Sequence, residues 1–177
     1  RGMFAFAIWD DEEKSLFLAR DMFGIKPLYY GKASTDGTFF FGSEIKSFLP
    51  HPAFAKELNK NAVLPYLTFQ YPVTRETFFK DIYKLEPGTW MRVEADGHMT
   101  RKRYWDFSFD ATDDSLESYV EQISEVLKDS VKVHKIADVP VGAFLSGGID
   151  SSYITALFKP ENTFSVGFAD YEGRFNE

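Results

Sequence analysis

The stretch Ser146–Ser152, with the sequence Ser-Gly-Gly-Ile-Asp-Ser-Ser, combines backbone flexibility, hydroxyl groups and one carboxylate. It follows the apolar run Val139–Leu145, which predicts a buried strand of a parallel sheet. Residues Tyr153–Phe158 behind it predict the first turns of a helix. A strand, a loop of small residues and a helix start bring several backbone N–H groups to one point, where the helix dipole adds positive potential. The loop is therefore suited to binding a phosphate or a pyrophosphate.

The loop differs from the common phosphate-binding motifs. No Lys follows Gly147 and Gly148, as a Walker A loop requires, and the third glycine of the dinucleotide fingerprint is missing. Instead, Asp150 places a carboxylate where it would repel a bare phosphate but would hold a Mg²⁺ that bridges to one. The alternative role of Asp150, or of Ser151, is to cap the following helix. Both glycines leave room for a tight turn and for an approaching anion.

The first hundred residues predict antiparallel hairpins and two short helices. The paired strands are Gly2–Trp9 with Ser15–Arg20, Pro27–Gly31 with Thr38–Gly42, and Gly88–Val93 with Met99–Trp105. A short helix is predicted over Ser43–Leu49 and is stopped by Pro50 and Pro52. A second helix is predicted from Asn59 or Asn61 toward Phe69.

Residues Asp106–Asp114 interrupt this pattern, because they alternate polar and aromatic residues without a helical period. Beyond this predicted linker, apolar residues recur at helical spacing, with Asp114 or Ser115 as the N-cap. These apolar residues are Leu116, Tyr119, Val120, Ile123, Val126, Leu127 and Val131. A further strand is predicted over Thr163–Phe168. The order helix, strand, loop, helix, strand is the opening of a doubly wound α/β sheet.

Composition narrows the class of protein. The chain has 177 residues, 44% of them hydrophobic, which is ample for a packed core. The net charge of −7 disfavours a nucleic-acid surface, and no apolar run is long enough for a membrane span. The sequence has no cysteine, in keeping with a cytoplasmic location. A start at Arg1, without an initiator Met or a signal peptide, favours a piece of something longer.

Several other polar residues have ordinary structural explanations. We expect Arg20 and Asp21 to form a partly buried ion pair that anchors a turn. Glu44 and Lys46 are two residues apart and are not expected to face each other on a helix. The histidines show no metal-ligand spacing and are predicted to lie on the surface. They are His51, His98 and His134.

These motifs resemble a known family. The loop Ser146–Ser152, preceded by Val139–Leu145, is similar to the pyrophosphate-binding loop of the ATP pyrophosphatases that activate a substrate as its adenylate. Three other segments resemble the back half of the glutaminase domain of the glutamine-hydrolysing asparagine synthetases. They are Gly2–Asp10, Arg20–Tyr30 and Ser43–Lys46. The resemblance runs through essentially the whole chain, in the order of that family.

The resemblance implies an α+β part followed by an α/β part. Residues 1–106 would form the tail of an N-terminal-nucleophile-type glutaminase β-sandwich, and residues 107–114 a linker. Residues 115–177 would begin a doubly wound, parallel-sheet ATP pyrophosphatase domain. The nucleophilic cysteine of the family would precede Arg1, so we expect no catalytic residue in this chain and no activity from the chain alone.

The resemblance also implies ATP and Mg²⁺ as cofactors, with Asp150 as the metal ligand. The residue before the loop and one on the next strand would hold the adenine, largely through backbone groups. The implied ATP-binding residues are Leu145, Ser146, Gly147, Gly148, Asp150, Ser151, Ser152 and Val166.

The implied reaction is the ATP-dependent amidation of aspartate to asparagine with glutamine-derived ammonia, through a β-aspartyl-AMP intermediate. The small-molecule partners are then glutamine, aspartate and ATP, without nucleic acid or membrane, and a homodimer is compatible with the family. Three alternatives stay open: a related amidating or cyclising ligase such as a β-lactam synthetase, a non-catalytic nucleotide-binding or regulatory module, and a tRNA-modifying pyrophosphatase. The acidity of the chain disfavours the last of these.

Overall fold

The structure is a computed structural model that describes residues 2–167. The chain divides into two compact units, Arg1–Phe109 and Asp110–Glu177. The strands, in chain order, are β1 (Ala5–Asp10), β2 (Ser15–Arg20), β3 (Tyr29–Lys32), β4 (Phe39–Gly42), β5 (Ile82–Lys84), β6 (Thr89–Val93), β7 (Met99–Arg103), β8 (Ala143–Phe144) and β9 (Thr163–Phe164). The α-helices are α1 (Val63–Phe69), α2 (Leu116–His134) and α3 (Ile149–Phe158).

A four-stranded antiparallel sheet with the order β1-β2-β6-β7 forms one layer of the first unit. The predicted hairpins β1–β2 and β6–β7 are both confirmed, although β1 begins at Ala5 and β7 ends at Arg103. The register places Ala5 opposite Arg20 and Thr89 opposite Arg103. Leu18 and Met91, which pair across β2 and β6, are almost fully buried.

A second antiparallel sheet, with the order β4-β3-β5, completes the first unit. The β3–β4 pair confirms the predicted hairpin, whereas β5 was not predicted. This strand has only three residues, and its pairing with β3 defines it better than any alternation in its sequence. Two hydrophobic clusters are buried in the unit, one around Leu18 and Leu85 and the other around Phe48 and Ile82.

The two predicted helices of the first unit differ in outcome. The predicted helix over Ser43–Leu49 is only a 3₁₀ turn at Ile45–Ser47. Because Glu44 is extended, with φ −137°, its carboxylate reaches the Lys46 ammonium at 2.5 Å, so the prediction that these side chains do not meet is wrong. Helix α1 is confirmed and follows a 3₁₀ turn, Lys60–Ala62, which the Asn59 side chain caps.

The second unit contains the predicted long helix. Helix α2 begins at Leu116, and the Ser115 hydroxyl caps it by accepting a hydrogen bond from the Ser118 N–H. Residues 104–115, which include the predicted linker, are neither helix nor strand. None of the described helices is both long and apolar enough to cross a membrane.

Strands β8 and β9 pair in parallel, with Ala143 opposite Thr163. The prediction of a buried strand over Val139–Leu145 is corrected, since β8 has two residues and its Phe144 side chain is 79% exposed. In the described part of the unit, β8 has one neighbouring strand, which leaves much of its apolar surface uncovered. Strand β9 likewise ends at Phe164, and the last residue of its predicted range, Phe168, lies outside the described residues.

Candidate functional site

The loop between β8 and α3 has the predicted order of strand, small-residue turn and helix. Gly147 has φ +80°, a left-handed conformation that strains any residue with a Cβ atom. One residue later, Gly148 returns to an extended conformation, with φ −70° and ψ 158°, and the helix starts at Ile149. This reversal directs the chain from the end of β8 into the first turn of α3.

The Ser151 hydroxyl closes the loop. Its oxygen accepts a hydrogen bond from the Ser146 N–H at 3.3 Å and lies 3.1 Å from the Ser146 hydroxyl. It donates its own proton to the Gly148 carbonyl at 3.0 Å. One side chain in the helix thereby fixes both the beginning and the end of the turn. The sequence alone does not reveal this role of Ser151.

The first turn of α3 has no side-chain cap. Gly148 is the N-cap residue, while Asp150 and Ser151 lie inside the helix, so the interpretation of either residue as the cap is wrong. The first intrahelical hydrogen bond runs from the Ser152 N–H to the Gly148 carbonyl. The three preceding N–H groups have no acceptor within the helix, and the loop around them is mostly exposed. An anion could bind at this positive helix end.

The two glycines have different structural requirements. The positive φ of Gly147 is needed for the turn itself. At Gly148 the backbone is accessible to any residue, and an added Cβ would meet only the Ser146 hydroxyl, at an ordinary 3.6 Å. Hence the turn does not explain why position 148 is a glycine, whereas the close approach of a ligand to the helix start would explain it.

Asp150 is exposed in the first turn of α3, where the helix dipole stabilises a negative charge. Among the described residues no group of three or more acidic or histidine side chains could hold a metal ion by itself. The histidines are exposed, as predicted. One exposed carboxylate at the start of α3 nevertheless fits Mg²⁺, which usually takes one or two carboxylates and completes its shell with water and substrate phosphates.

The ends of β8 and β9 lie side by side next to the loop. The Leu145 N–H donates to the Phe164 carbonyl at 2.9 Å, and the Leu145 carbonyl accepts from the Ser165 hydroxyl at 2.6 Å. The backbone N–H of Leu145 is therefore already used. Val166 is 74% exposed, and in the described part of the chain its backbone groups have no partner.

Comparison with known proteins follows the division of the chain. Residues 1–105 match the family described as glutamine amidotransferase domain, which is more than half of the chain. The chain belongs to the glutamine amidotransferase domain family. Residues 122–177 of this amidotransferase chain match a second family, described as asparagine synthase.

The curated relatives include proteins named asparagine synthetase and a protein named an amidase. Asparagine synthetase [glutamine-hydrolyzing] 1 of Bacillus subtilis (strain 168) is 41% identical over 172 residues, which is 95% of this chain and 27% of the relative. Asparagine synthetase [glutamine-hydrolyzing] 3 of the same organism is 34% identical over 184 residues, 98% of this chain and 30% of the relative. Amidase chry2 of Gibberella zeae is 36% identical over 161 residues, 89% of this chain and 23% of the relative. The chain thus spans between about a quarter and a third of these relatives.

The amidotransferase unit buries the Asp21 carboxylate in a nest of backbone groups. It accepts hydrogen bonds from the N–H groups of Phe4, Phe23, Ile25 and Lys26 at 3.0 to 3.3 Å. Burial alone would raise the pKa of Asp21, but these four donors outweigh it and hold the pKa below its usual value.

The neighbouring Arg20 guanidinium donates to the carbonyls of Gly24, Lys26 and Leu85 at 2.6 to 2.8 Å. The prediction of an ion pair between Arg20 and Asp21 is therefore wrong, because each charged side chain binds its own set of backbone groups. Burial lowers the pKa of Arg20, and the charge of Asp21 partly opposes this. The two side chains fix the turn before β3, in agreement with the predicted anchoring role.

Proposed function

We propose that the protein that carries this chain makes asparagine from aspartate, ATP and the ammonia released from glutamine, through a β-aspartyl-AMP intermediate. One observation carries this proposal: an amidotransferase family match and an uncapped helix start at a serine- and glycine-rich loop occur in the same chain. The match of residues 122–177 to the asparagine synthase family supports it, as do the names of the two Bacillus subtilis relatives.

In this proposal the loop between β8 and α3 binds the β- and γ-phosphates of ATP. The free N–H groups at the start of α3 and the Ser152 hydroxyl are the donors for the phosphate oxygens. Ser146 and Ser151 hold the loop in the shape that presents these donors. Gly148 leaves space for the phosphate to reach these N–H groups. Asp150 is the residue that would hold a Mg²⁺ ion, which would supply positive charge to neutralise the departing pyrophosphate.

The adenine is assigned to the ends of β8 and β9. Val166 is the stronger candidate for a backbone contact, because its N–H and carbonyl are unpaired in the described part of the chain. Leu145 contributes a half-buried side chain and the second lone pair of its carbonyl oxygen. A Val166→Pro substitution removes one backbone donor and should weaken ATP binding, whereas Val166→Ile should not.

We further propose the domain limits 1–106, 107–114 and 115–177, with the last domain beginning a doubly wound parallel sheet. The irregular residues 104–115 and the parallel β8–β9 pair support this division. The first domain would be the tail of an N-terminal-nucleophile-type β-sandwich. A cytoplasmic location is proposed because ATP and both amino-acid substrates are available there.

A second candidate is a ligase that amidates or cyclises a different acid, as in a β-lactam synthetase. The specific observation in its favour is the 36% identity to a protein named an amidase. Pyrophosphate exchange into ATP separates the two candidates, because exchange that requires aspartate supports asparagine synthesis. A non-catalytic nucleotide-binding module would show no exchange with any acid.

The proposal is tested by measuring both half-reactions in the protein that carries this chain. Asp150→Asn should lower ATP-dependent asparagine formation by roughly 10²–10³-fold, the usual effect of losing one charge-stabilising contact. Glutamine hydrolysis should be unchanged. Asp138→Asn, the same chemical change at another exposed residue of the unit, is the matched control. Unchanged synthesis in Asp150→Asn would refute the metal-binding role, and an equal loss of both half-reactions would indicate a structural one.

A further inference from the structure

The amidotransferase unit contains a half-open pocket that the proposed reaction does not use. The pocket has a volume of about 160 Å³ and lies beside the sheet formed by β4, β3 and β5. The apolar and aromatic residues of its wall include Tyr29, Ile45, Ala62, Tyr66 and Phe78. A cavity of about 150 Å³ accommodates a single benzene ring, so the pocket suits an apolar body of that size.

Lys84 is the one cationic residue in the lining of this pocket. It lies opposite Tyr29 in the β3–β5 pair, so the two side chains are on the same face of the sheet. Among the described residues, no acidic group and no hydrogen-bond acceptor stabilises the Lys84 ammonium. Burial lowers the pKa of Lys84, and the charge of Arg20 lowers it further, as expected for an amine without a counter-charge.

The remaining polar groups of the wall do not compete for this amine. Glu76 pairs with Tyr83 across an isolated antiparallel bridge, so its side chain is on the face opposite to Lys84. The Glu76 carboxylate accepts a hydrogen bond from the Asn59 amide at 2.9 Å. The Thr77 hydroxyl donates to backbone carbonyls. The pocket therefore offers one cation without an acidic partner, in a wall that is aromatic and aliphatic apart from Glu76 and Thr77.

We propose that this pocket binds a small monocarboxylic acid with an apolar body of about one ring. The carboxylate pairs with Lys84, and the apolar body packs between Tyr66 and Ile45. A charged hydrogen bond in a partly buried site is stronger than a neutral one, which gives the site selectivity for an acid over its amide. The site is independent of ATP binding and goes beyond the proposed synthesis of asparagine.

The test uses benzoate as the probe on the whole 177-residue chain, with benzamide and benzylamine as neutral and cationic analogues of the same shape. Titration calorimetry and ligand-observed NMR should show benzoate binding at least about tenfold more tightly than either analogue. The Lys84→Met variant keeps the apolar stem and should bind benzoate no better than benzamide. The matched control Lys80→Met removes an exposed lysine that pairs with Glu57 and should change nothing.

A second variant keeps the charge of Lys84 but removes the empty space of the pocket. Ala62→Phe fills the pocket from its wall and should abolish benzoate binding while Lys84 remains. No benzoate binding to the unmodified chain, or equal affinity for benzoate and benzamide, overturns the proposal without any variant. Tight benzoate binding that survives Lys84→Met or Ala62→Phe also overturns it, since the acid would then be bound elsewhere.

Discussion

The two units bury their apolar residues to very different extents. In the amidotransferase unit, two hydrophobic clusters are enclosed by antiparallel sheets, and Leu18 and Leu85 are completely buried. In the second unit, Val131 and Phe158 are the buried hydrophobic residues of the described part. Ile149, which opens the helix at the candidate site, is 89% exposed. The first unit is therefore held by its core, whereas the second depends on helix caps and local hydrogen bonds.

Without a hydrophobic core beneath it, the loop between β8 and α3 is held by backbone geometry and hydrogen bonds. The left-handed Gly147 and the bonds of the Ser151 hydroxyl are local in sequence. One further hydrogen bond, from the Leu145 N–H to the Phe164 carbonyl, joins the start of the loop to β9. Such contacts are individually worth about 1 kcal/mol, against several for a buried leucine. Substitutions in the two units should consequently change the free energy of unfolding by different amounts.

The largest expected effect is that of a core deletion in the amidotransferase unit. Leu85→Ala removes a side chain that is 0% exposed and should lower the free energy of unfolding by about 2–5 kcal/mol. The exposed Phe144→Ala in the second unit should change it by no more than about 0.5 kcal/mol. Urea unfolding is followed by tryptophan fluorescence for the first unit, which holds all three tryptophans, and by circular dichroism of α2 and α3 for the second. Equal losses of unfolding free energy in Leu85→Ala and Phe144→Ala would contradict the proposed difference between the units.

A smaller loss of unfolding free energy is expected from Asp21→Asn, because this variant leaves part of a buried nest of N–H donors unpaired. The expected cost is about 3 kcal/mol of unfolding free energy, measured by the same fluorescence experiment. Asp96→Asn, at an exposed turn, is the matched control. A cost below that of the control would mean that the nest does not stabilise the unit.

The same residue predicts a pH dependence. Because the pKa of Asp21 is lowered by folding, its contribution is fully present above the unfolded pKa of about 3.9 and is lost as the pH falls through the lower folded pKa. The unmodified unit should lose stability below about pH 4 more steeply than Asp21→Asn does. Identical slopes in the two proteins would contradict this assignment.

A still smaller effect is expected at the loop of the second unit. Ser151→Ala removes the hydroxyl that accepts from the Ser146 N–H and should accelerate hydrogen exchange of that amide by roughly tenfold, for a loss of about 1.4 kcal/mol. Ser152→Ala is the neighbouring control, since the Ser152 hydroxyl makes none of these bonds. Equal exchange rates in both variants would show that the loop is not held by Ser151.

The features that were predictable from sequence are those fixed by local patterns. The hairpin β1–β2, the amphipathic helix α2 and the turn before α3 all follow from periodicity and small residues. What could not be predicted depends on partners distant in sequence or on fine backbone geometry. Strand β5 is defined by its pairing with β3. The Glu44 and Lys46 side chains meet because the backbone of Glu44 is extended. The exposure of Val139–Leu145 also escaped prediction, because burial depends on neighbouring strands.

The central claim, that the loop Ser146–Ser152 binds the pyrophosphate of ATP, is tested most directly by NMR titration of the 177-residue chain with ATP and Mg²⁺. The amide resonances of Gly148 to Ser151 should move with ATP and Mg²⁺ and stay in place with AMP, which lacks the β- and γ-phosphates. Gly148→Ala, which the turn tolerates, should abolish these shifts without unfolding α3. Equal shifts with AMP, or shifts confined to the amidotransferase unit, would contradict the claim.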